Sequence, residues 1–539
     1  MSRAMNRAFW CLAVLLLLAD MAYQLMSPSG GDKEWLLLAT RMMLQGRTLY
    51  VDIFEVNPPL VIWLYSLPVW LSLKFTWFTD YQALVAMGFV LSGISAWLGV
   101  QLIRFHPAFA GKPHKQWLFG LLIGYTLIFF STPIYFFDRD QIFFVLVFAY
   151  FLRFMPSLAD AALPVWLRVA VGLMAGVGFC VKPHTVVAFA ALQLTHLLRA
   201  RPARFWFSLE NVIIAAVAAF YFFCIWRFAP DYLNTVMPMS AATYGGFSRK
   251  VNGYLFAAVA FGCAGLTFAE FRPRHTTPYR RDIYYLAGVC AALFAYALAG
   301  NGWGYTYNPL LCMLIFLSAW VFAEFLWLYR QDRAQGGSGW TFLVGMGTNV
   351  VNLTANALYI ALCIWTYFTA PVCGGKQCVL DPYFKYMHER QVRSFSSFSM
   401  NLRRWTELER ATHAKWDTRF NHLWMLPQLL LASPDLEGRY KWIKDYVTRA
   451  YATDLTRWQP EIVFVDRSDG IFNYGLPIDI PAFFAEEPAF REAWSHYRLE
   501  KTLDSCAKPE QKRVSASGVS KIGSQPVQID CRYDIYRRF

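Results

Sequence analysis

Eleven apolar runs long enough to span a bilayer, about 20 residues each, dominate the sequence, at 8–26, 81–104, 116–137, 141–157, 164–181, 184–198, 206–227, 253–270, 283–300, 308–329 and 341–370. A chain built this way has to satisfy its backbone polar groups internally wherever it meets lipid, which selects a bundle of helices. The charges divide accordingly. Residues 1–370 hold 25 Lys and Arg and 15 Asp and Glu, whereas the last 169 residues hold 25 and 21. The expected fold class is therefore an α-helical polytopic membrane protein of about 11 spans (1–370) followed by a soluble α/β domain (371–539). With 56% hydrophobic and 16% charged residues, disordered, fibrous and ordinary soluble proteins are excluded. Arg3 and Arg7 precede the first run and no small-residue cleavage site follows it, so it reads as an uncleaved helix.

A twelfth apolar run, PPLVIWLYSLPVWLSLKF at 58–75, decides the orientation. Counted as a full span, it would put the basic loop 104–115 outside; laid in the interface, it leaves every short basic loop on one side. That places the N-terminus in the cytoplasm and the C-terminal domain outside, which in a bacterium means a multi-pass protein of the inner membrane with a periplasmic domain. The net charge of +14 is then mostly an orientation signal, and nucleic-acid binding is not expected. Seven of the eleven cysteines lie in apolar stretches. Cys373, Cys378, Cys506 and Cys531 lie in the tail, an even number that suits disulfides in an oxidising compartment, with a zinc site as the alternative whose spacing fits less well.

The few charges of the outer loops are the candidate site. The first loop, GDKEWLLLATRMMLQGRTLYVDIFEVNPPL (31–60), has apolar residues spaced for an amphipathic helix in the interface, with Asp32 and Glu34 at its start and Asp52 and Glu55 returning after Gly46. Asp32 reads equally as a helix cap. The second loop sets Asp138, Arg139 and Asp140 between two apolar runs, where ionisable residues are candidates for function, or where Asp140 caps the next helix. In GVGFCVKPHTVVAF, Lys182 suits a lipid phosphate or a snorkelling side chain, with His184 beside it. Trp303, Tyr305 and Tyr307 suit a sugar platform or an interfacial aromatic belt. No Walker loop, GxSxG, HExxH or dinucleotide fingerprint is present.

This order of motifs resembles the C-type (GT-C) membrane glycosyltransferases, near the protein O-mannosyltransferases and the lipid A aminoarabinose transferases. The matching features are Asp32 in the first loop ahead of an in-plane helix, GRTLYVDIFEVNPPL, the Asp140 loop before a span, and GVGFCVKPH, over roughly residues 10–310. The resemblance implies transfer of a sugar from a polyprenyl-phosphate donor to a glycan, lipid or protein acceptor at the outer membrane face, with inversion. Asp32 matches the family's catalytic Asp, the base toward the acceptor hydroxyl. Asp140 matches its second-loop Asp, which in some members helps hold a divalent cation (Mg, Mn, Ca or Zn). Lys182 matches the lysine near the donor phosphate, where its charge stabilises the leaving group. Where aminoarabinose transferases carry a Lys before the first-loop Pro, this chain has Asn57, so that sugar and a lipid A acceptor do not follow.

In the tail, helical segments (437–452, 481–496) alternate with strand-like EIVFVD, YRLEKTL and CRYDIYRRF. Three other readings remain: a ligase or polymerase using a diphosphate-linked donor, a lipid or sugar flippase, and a scaffold. A flippase predicts internal repeats and mid-membrane charges, which this sequence does not display.

Overall fold

The computed structural model describes residues 3–26, 31–128, 136–158, 161–197, 206–243, 280–299, 304–334, 381–400, 402–431, 438, 440–467, 478–504, 519–522, 525–528 and 532–539. Cys373, Cys378, Cys506, Cys531, Trp303 and the runs 253–270 and 341–370 lie outside the described residues. Among the described residues no disulfide is present.

The chain is helical with a small sheet and separates into two compact units, the first holding 1–29, 71–224 and 249–364, the second 30–70, 225–248 and 365–539. Contacts thus group the first loop with the tail rather than with the helices that flank it in sequence.

In the first unit, α1 (Arg3–Met26), α4 (Asp80–Ile103), α5 (Pro113–Ile128), α6 (Arg139–Arg153), α7 (Val165–Phe179) and α8 (Thr185–Leu197) are joined by Leu209–Phe228, Arg280–Ala299 and Asn308–Ala334. Three described helices, Asp80–Ile103, Leu209–Phe228 and Arg281–Ala299, are long and apolar enough to cross a membrane. Apolar all round, α6 is buried from Arg139 to Arg153 and is the core of the unit. A charge stands at each end of it, and each is matched: Asp140 by Lys182 at one, Arg153 by Glu210 at the other, 2.7 Å from Nε to Oε1. Glu210 also takes Arg168 at 2.9 Å.

Small residues set how closely these helices approach. On α7, a Cβ at Gly172 would lie 3.0 Å from Ile213 Cβ, and one at Gly176 would lie 2.8 Å from Val217 Cβ. Four residues apart, these two glycines form the small-residue seam on which Leu209–Phe228 rests.

In the second unit a five-stranded mixed sheet runs in the order β2-β1-β3-β7-β4, formed by β1 (Ser394–Phe398), β2 (Lys415–Trp416), β3 (Ile462–Asp466), β4 (Tyr497–Asp504) and β7 (Arg532–Arg538), with β5 (Val519–Ile522) and β6 (Gln525–Gln528) as a separate pair. The expected strand EIVFVD is β3, parallel to β1 and antiparallel to β7. Flanked on both sides, it is buried from Ile462 to Val465, which accounts for its unbroken apolar run. The strands expected at YRLEKTL and CRYDIYRRF are β4 and β7.

Of the first loop, α2 (Gly31–Leu44) forms where the apolar spacing predicts a helix, but protein covers it. Trp35, Leu36, Leu37, Ala39 and Met42 are all buried, and α2 packs on the helix Arg403–Thr412. A face reserved for lipid is therefore not what its apolar residues supply. The ambiguous run 58–75 is α3 (Leu60–Lys74), 15 residues with Pro68 inside it.

Gly176→Leu inserts a side chain where a Cβ already meets Val217. It is expected to destabilise the helical unit by about 1–3 kcal/mol, read as a lower melting temperature of the purified protein in detergent, while Gly93→Ala, in open space on α4, leaves it near wild type.

Candidate functional site

The first unit gathers the second-loop charges around one buried ion pair. The chain enters α6 through Phe137, whose left-handed backbone (φ 55°) is uncommon for a bulky residue, and whose ring lies against Gly88. Asp138, and not Asp140, is the helix cap: its Oδ1 accepts from the amides of Asp140 (3.0 Å) and Gln141 (3.1 Å). Gln141 accepts in turn from the Phe137 amide and donates to the Leu127 carbonyl at 2.7 Å. With the cap filled, Asp140 turns inward.

There Asp140 Oδ2 accepts from Lys182 Nζ at 2.6 Å, with the two side chains 1% and 5% exposed. Its Oδ1 accepts from the Tyr296 hydroxyl on Arg280–Ala299. Lys182 is delivered by the end of α7: Pro183 prevents the helix continuing, and Thr185 Oγ1 donates back to the Lys182 carbonyl at 2.6 Å. The ammonium lies 5.0 Å from the centre of the Tyr305 ring, a cation–π contact. His184 stacks on Tyr296 at 4.9 Å, and its Nε2 is buried without a hydrogen-bond partner. Arg139 is buried at the same helix end. Tyr307 is buried rather than displayed, its hydroxyl without a partner. A snorkelling Lys182 and a Tyr307 in an aromatic belt are thus not what the structure contains.

The second unit holds the first-loop carboxylates, and it treats them differently. Asp32 and Glu34 both stand in the first turn of α2, where the helix dipole favours negative charge. Glu34 is buried, accepting from Arg410 and, at 3.2 Å, from Thr406. Asp52 accepts from the Thr48 amide at 3.0 Å and pairs with Arg457. Burial raises the Asp52 pKa, but these two partners outweigh it and hold the carboxyl below its usual range. Glu55 is fully enclosed: Oε2 takes Trp35 Nε1 at 2.6 Å, and Oε1 takes the Asn57 amide at 2.8 Å and its side chain. Tyr232 is pushed up to about 12 by burial and then by the charge of Glu55. Asp32 alone among the four is exposed.

Sequence reasoning missed the residues that organise both sets. Tyr296 sits within an apolar run, and nothing in ALFAYALAG marks it. Arg410, Arg457 and Asp417, which takes Arg47 at 3.0 Å, lie about 370–400 positions from their partners, and only the fold pairs them.

A divalent cation at Asp140 finds no donor set among the described residues. Both carboxylate oxygens are engaged, and no three His, Cys, Asp or Glu side chains converge. The arrangement is instead that of a buried cation with a neutralising carboxylate. Asp140→Ala leaves the Lys182 charge without its partner and is expected to cost about 3–5 kcal/mol of stability. The paired change Asp140→Leu with Lys182→Met should recover most of this loss, as thermal unfolding of the single and double variants would measure.

No family model matches the sequence, and no curated protein matches it. Among solved structures the chain is similar to ArnT from Cupriavidus metallidurans bound to undecaprenyl phosphate, with 13% identity and a TM-score of 0.49 over 85% of this chain and 93% of that one. It is also similar to the archaeal oligosaccharyltransferase AglB from Archaeoglobus fulgidus in complex with an inhibitory peptide and a dolichol-phosphate, with 12% identity and a TM-score of 0.38 over 98% and 76% of the two chains.

Proposed function

We propose that this protein is a membrane glycosyltransferase that moves a sugar from a polyprenyl-phosphate donor to a glycan, lipid or protein acceptor at the periplasmic face of a bacterial inner membrane, with inversion. The observation that carries the reading is the selective exposure of Asp32. Glu34, Asp52 and Glu55 are buried, whereas Asp32, at the position the resemblance gives to the base, is exposed to solvent.

Asp32 takes the proton of the acceptor hydroxyl as the acceptor oxygen bonds to the anomeric carbon. The bond from that carbon to the phosphate oxygen breaks, and its electron pair stays on the phosphate. Attack opposite the leaving group inverts the anomeric centre. Lys182 is the cation suited to the phosphate as its charge grows. In the resting state Asp140 and the Tyr305 ring hold it. On donor binding Lys182 exchanges Asp140 for a phosphate oxygen, and Asp140 keeps the Tyr296 hydroxyl. Glu34 and Asp52, candidate substrate ligands by sequence, are assigned instead to support of the loop. The separation of a transmembrane catalytic part from a C-terminal periplasmic domain belongs to this reading.

Membranes containing the protein, given radiolabelled polyprenyl-phosphate sugars extracted from the same cells, should show transfer that Asp32→Asn lowers by about 10²–10⁴-fold without loss of folded protein. Transfer that survives in Asp32→Asn would remove Asp32 as the base, and the absence of transfer by folded wild type would favour a flippase or scaffold.

Orientation has its own test. A reporter fused at residue 110 should give a cytoplasmic signal, and a periplasmic one would make α3 a full span and reverse the sidedness.

A further inference from the structure

The far end of α6 carries three charges for which sugar transfer has no use. Arg153 is the last residue of α6, Arg168 stands in the first turn of α7, and Glu210 in the first turn of Leu209–Phe228. Their ion pairs bring these three helix ends to one level, about 20 Å along α6 from Asp140. Glu210 Oε1 accepts from Arg153 Nε at 2.7 Å and from Arg168 Nε at 2.9 Å, and its Oε2 from Arg168 Nη2 at 2.9 Å. Arg153 Nη1 donates onward to the Leu158 carbonyl at 3.1 Å. One carboxylate thus serves two guanidiniums, and one positive charge is in excess. Among the described residues no acceptor takes Arg153 Nη2 or Arg168 Nη1.

A surplus charge among packed helices is costly until an anion meets it. The cluster is accessible from the Arg168 side, where the side chain is 28% exposed against 8% for Arg153 and none for Glu210. The surface around that opening is aromatic and apolar. Trp166, two residues before Arg168, is exposed and stacks at 5.5 Å on Trp97 of α4, itself exposed. Val165 is exposed beside it, and Trp206 and Phe207, just ahead of Leu209–Phe228, are exposed as well. Tryptophans grouped at helix ends mark the level of lipid headgroups, and Arg168 stands at that level.

We infer that Arg168, with Arg153 behind it, holds the phosphate of an anionic phospholipid at this end of the helical unit. A guanidinium offers paired N–H donors to phosphate oxygens, and the charge-assisted bonds so formed are stronger than neutral ones. A soluble phosphate would satisfy the charge alone. A phospholipid satisfies the charge and also lays its acyl chains on Val165 and Phe207, which a soluble anion leaves in contact with solvent. The site is separate from the Asp140–Lys182 pair and does not depend on the protein being a transferase.

The test titrates the full-length protein, stripped of lipid in a neutral detergent, with phosphatidylglycerol or phosphatidylcholine, and counts bound lipid by native mass spectrometry. Wild type should bind phosphatidylglycerol about fivefold more tightly, the worth of one basic residue near an anionic lipid surface. Arg168→Gln leaves Glu210 paired one-to-one with Arg153, so the fold should survive and the preference should vanish. Arg153→Gln removes the same surplus from the buried side and should also abolish it, so either variant suffices if the other does not fold. Arg168→Lys keeps the charge and should keep the preference. Arg104→Gln, which removes an exposed arginine just past α4, should leave it unchanged. A wild-type preference in folded Arg168→Gln would overturn the inference. So would an equal loss in Arg104→Gln, the mark of general attraction to a basic surface. Loss in both Arg168→Gln and Arg168→Lys, with a lower melting temperature in phosphatidylcholine, would reduce the three charges to a clamp between helices. Displacement of phosphatidylglycerol by millimolar inorganic phosphate would assign the site to a soluble anion and overturn the lipid.

Discussion

Opposite charges withdrawn from water have to find each other, and the Asp140–Lys182 pair is where the helical unit meets that requirement most sharply. At 2.6 Å and almost without exposure, each charge would be costly without the other. The pair dictates much around it. Asp138 must be the cap so that Asp140 can turn inward, α7 must end at Phe179 so that Lys182 in the following turn can reach, and Arg280–Ala299 must bring Tyr296 to the second carboxylate oxygen. Such a pair adds little stability compared with apolar residues of the same size. On the proposed function, its use lies in keeping a desolvated cation in a fixed place, where an anionic phosphate would gain more from it than in water.

The second unit solves the opposite problem. Four carboxylates within 24 positions of one loop repel one another, and the fold buries three of them, two against arginines from far along the chain. Arg410 takes Glu34 and Arg457 takes Asp52, while indole and amide hydrogens of the loop itself take Glu55. The tail is thereby part of the loop's structure.

The elements were legible from local pattern to the degree that local physics determines them. Apolar runs longer than a soluble helix requires gave α4 and Leu209–Phe228 within about a turn of their ends, and the unbroken apolar stretch EIVFVD gave a strand buried from both sides. The site was legible as a set of residues, because charges in the short connections of an apolar chain are few and conspicuous. Their roles were not. Nothing local separates Asp138 from Asp140, since both precede an apolar run and either satisfies the preference for Asp at a helix start. The separation depends on Lys182 and Tyr296, 42 and 156 positions away. Glu34 likewise looked like a ligand because its partner Arg410 belongs to a segment that reads as an ordinary amphipathic helix.

The first-loop helix shows why amphipathic spacing alone misplaces an element. The same stripe of Trp35, Leu36, Ala39 and Met42 would seat a helix in a bilayer interface or against another protein surface, since the hydrophobic effect has no direction and does not distinguish the two. Polar groups do distinguish them. A buried Glu34 would be intolerable against lipid unless neutralised, whereas against Arg403–Thr412 it meets Arg410 and Thr406. Glu34 and the neighbouring Lys33 are both buried on this helix, and a protein surface can supply partners for such charges where lipid cannot. Asp32, two residues earlier, is instead turned to solvent.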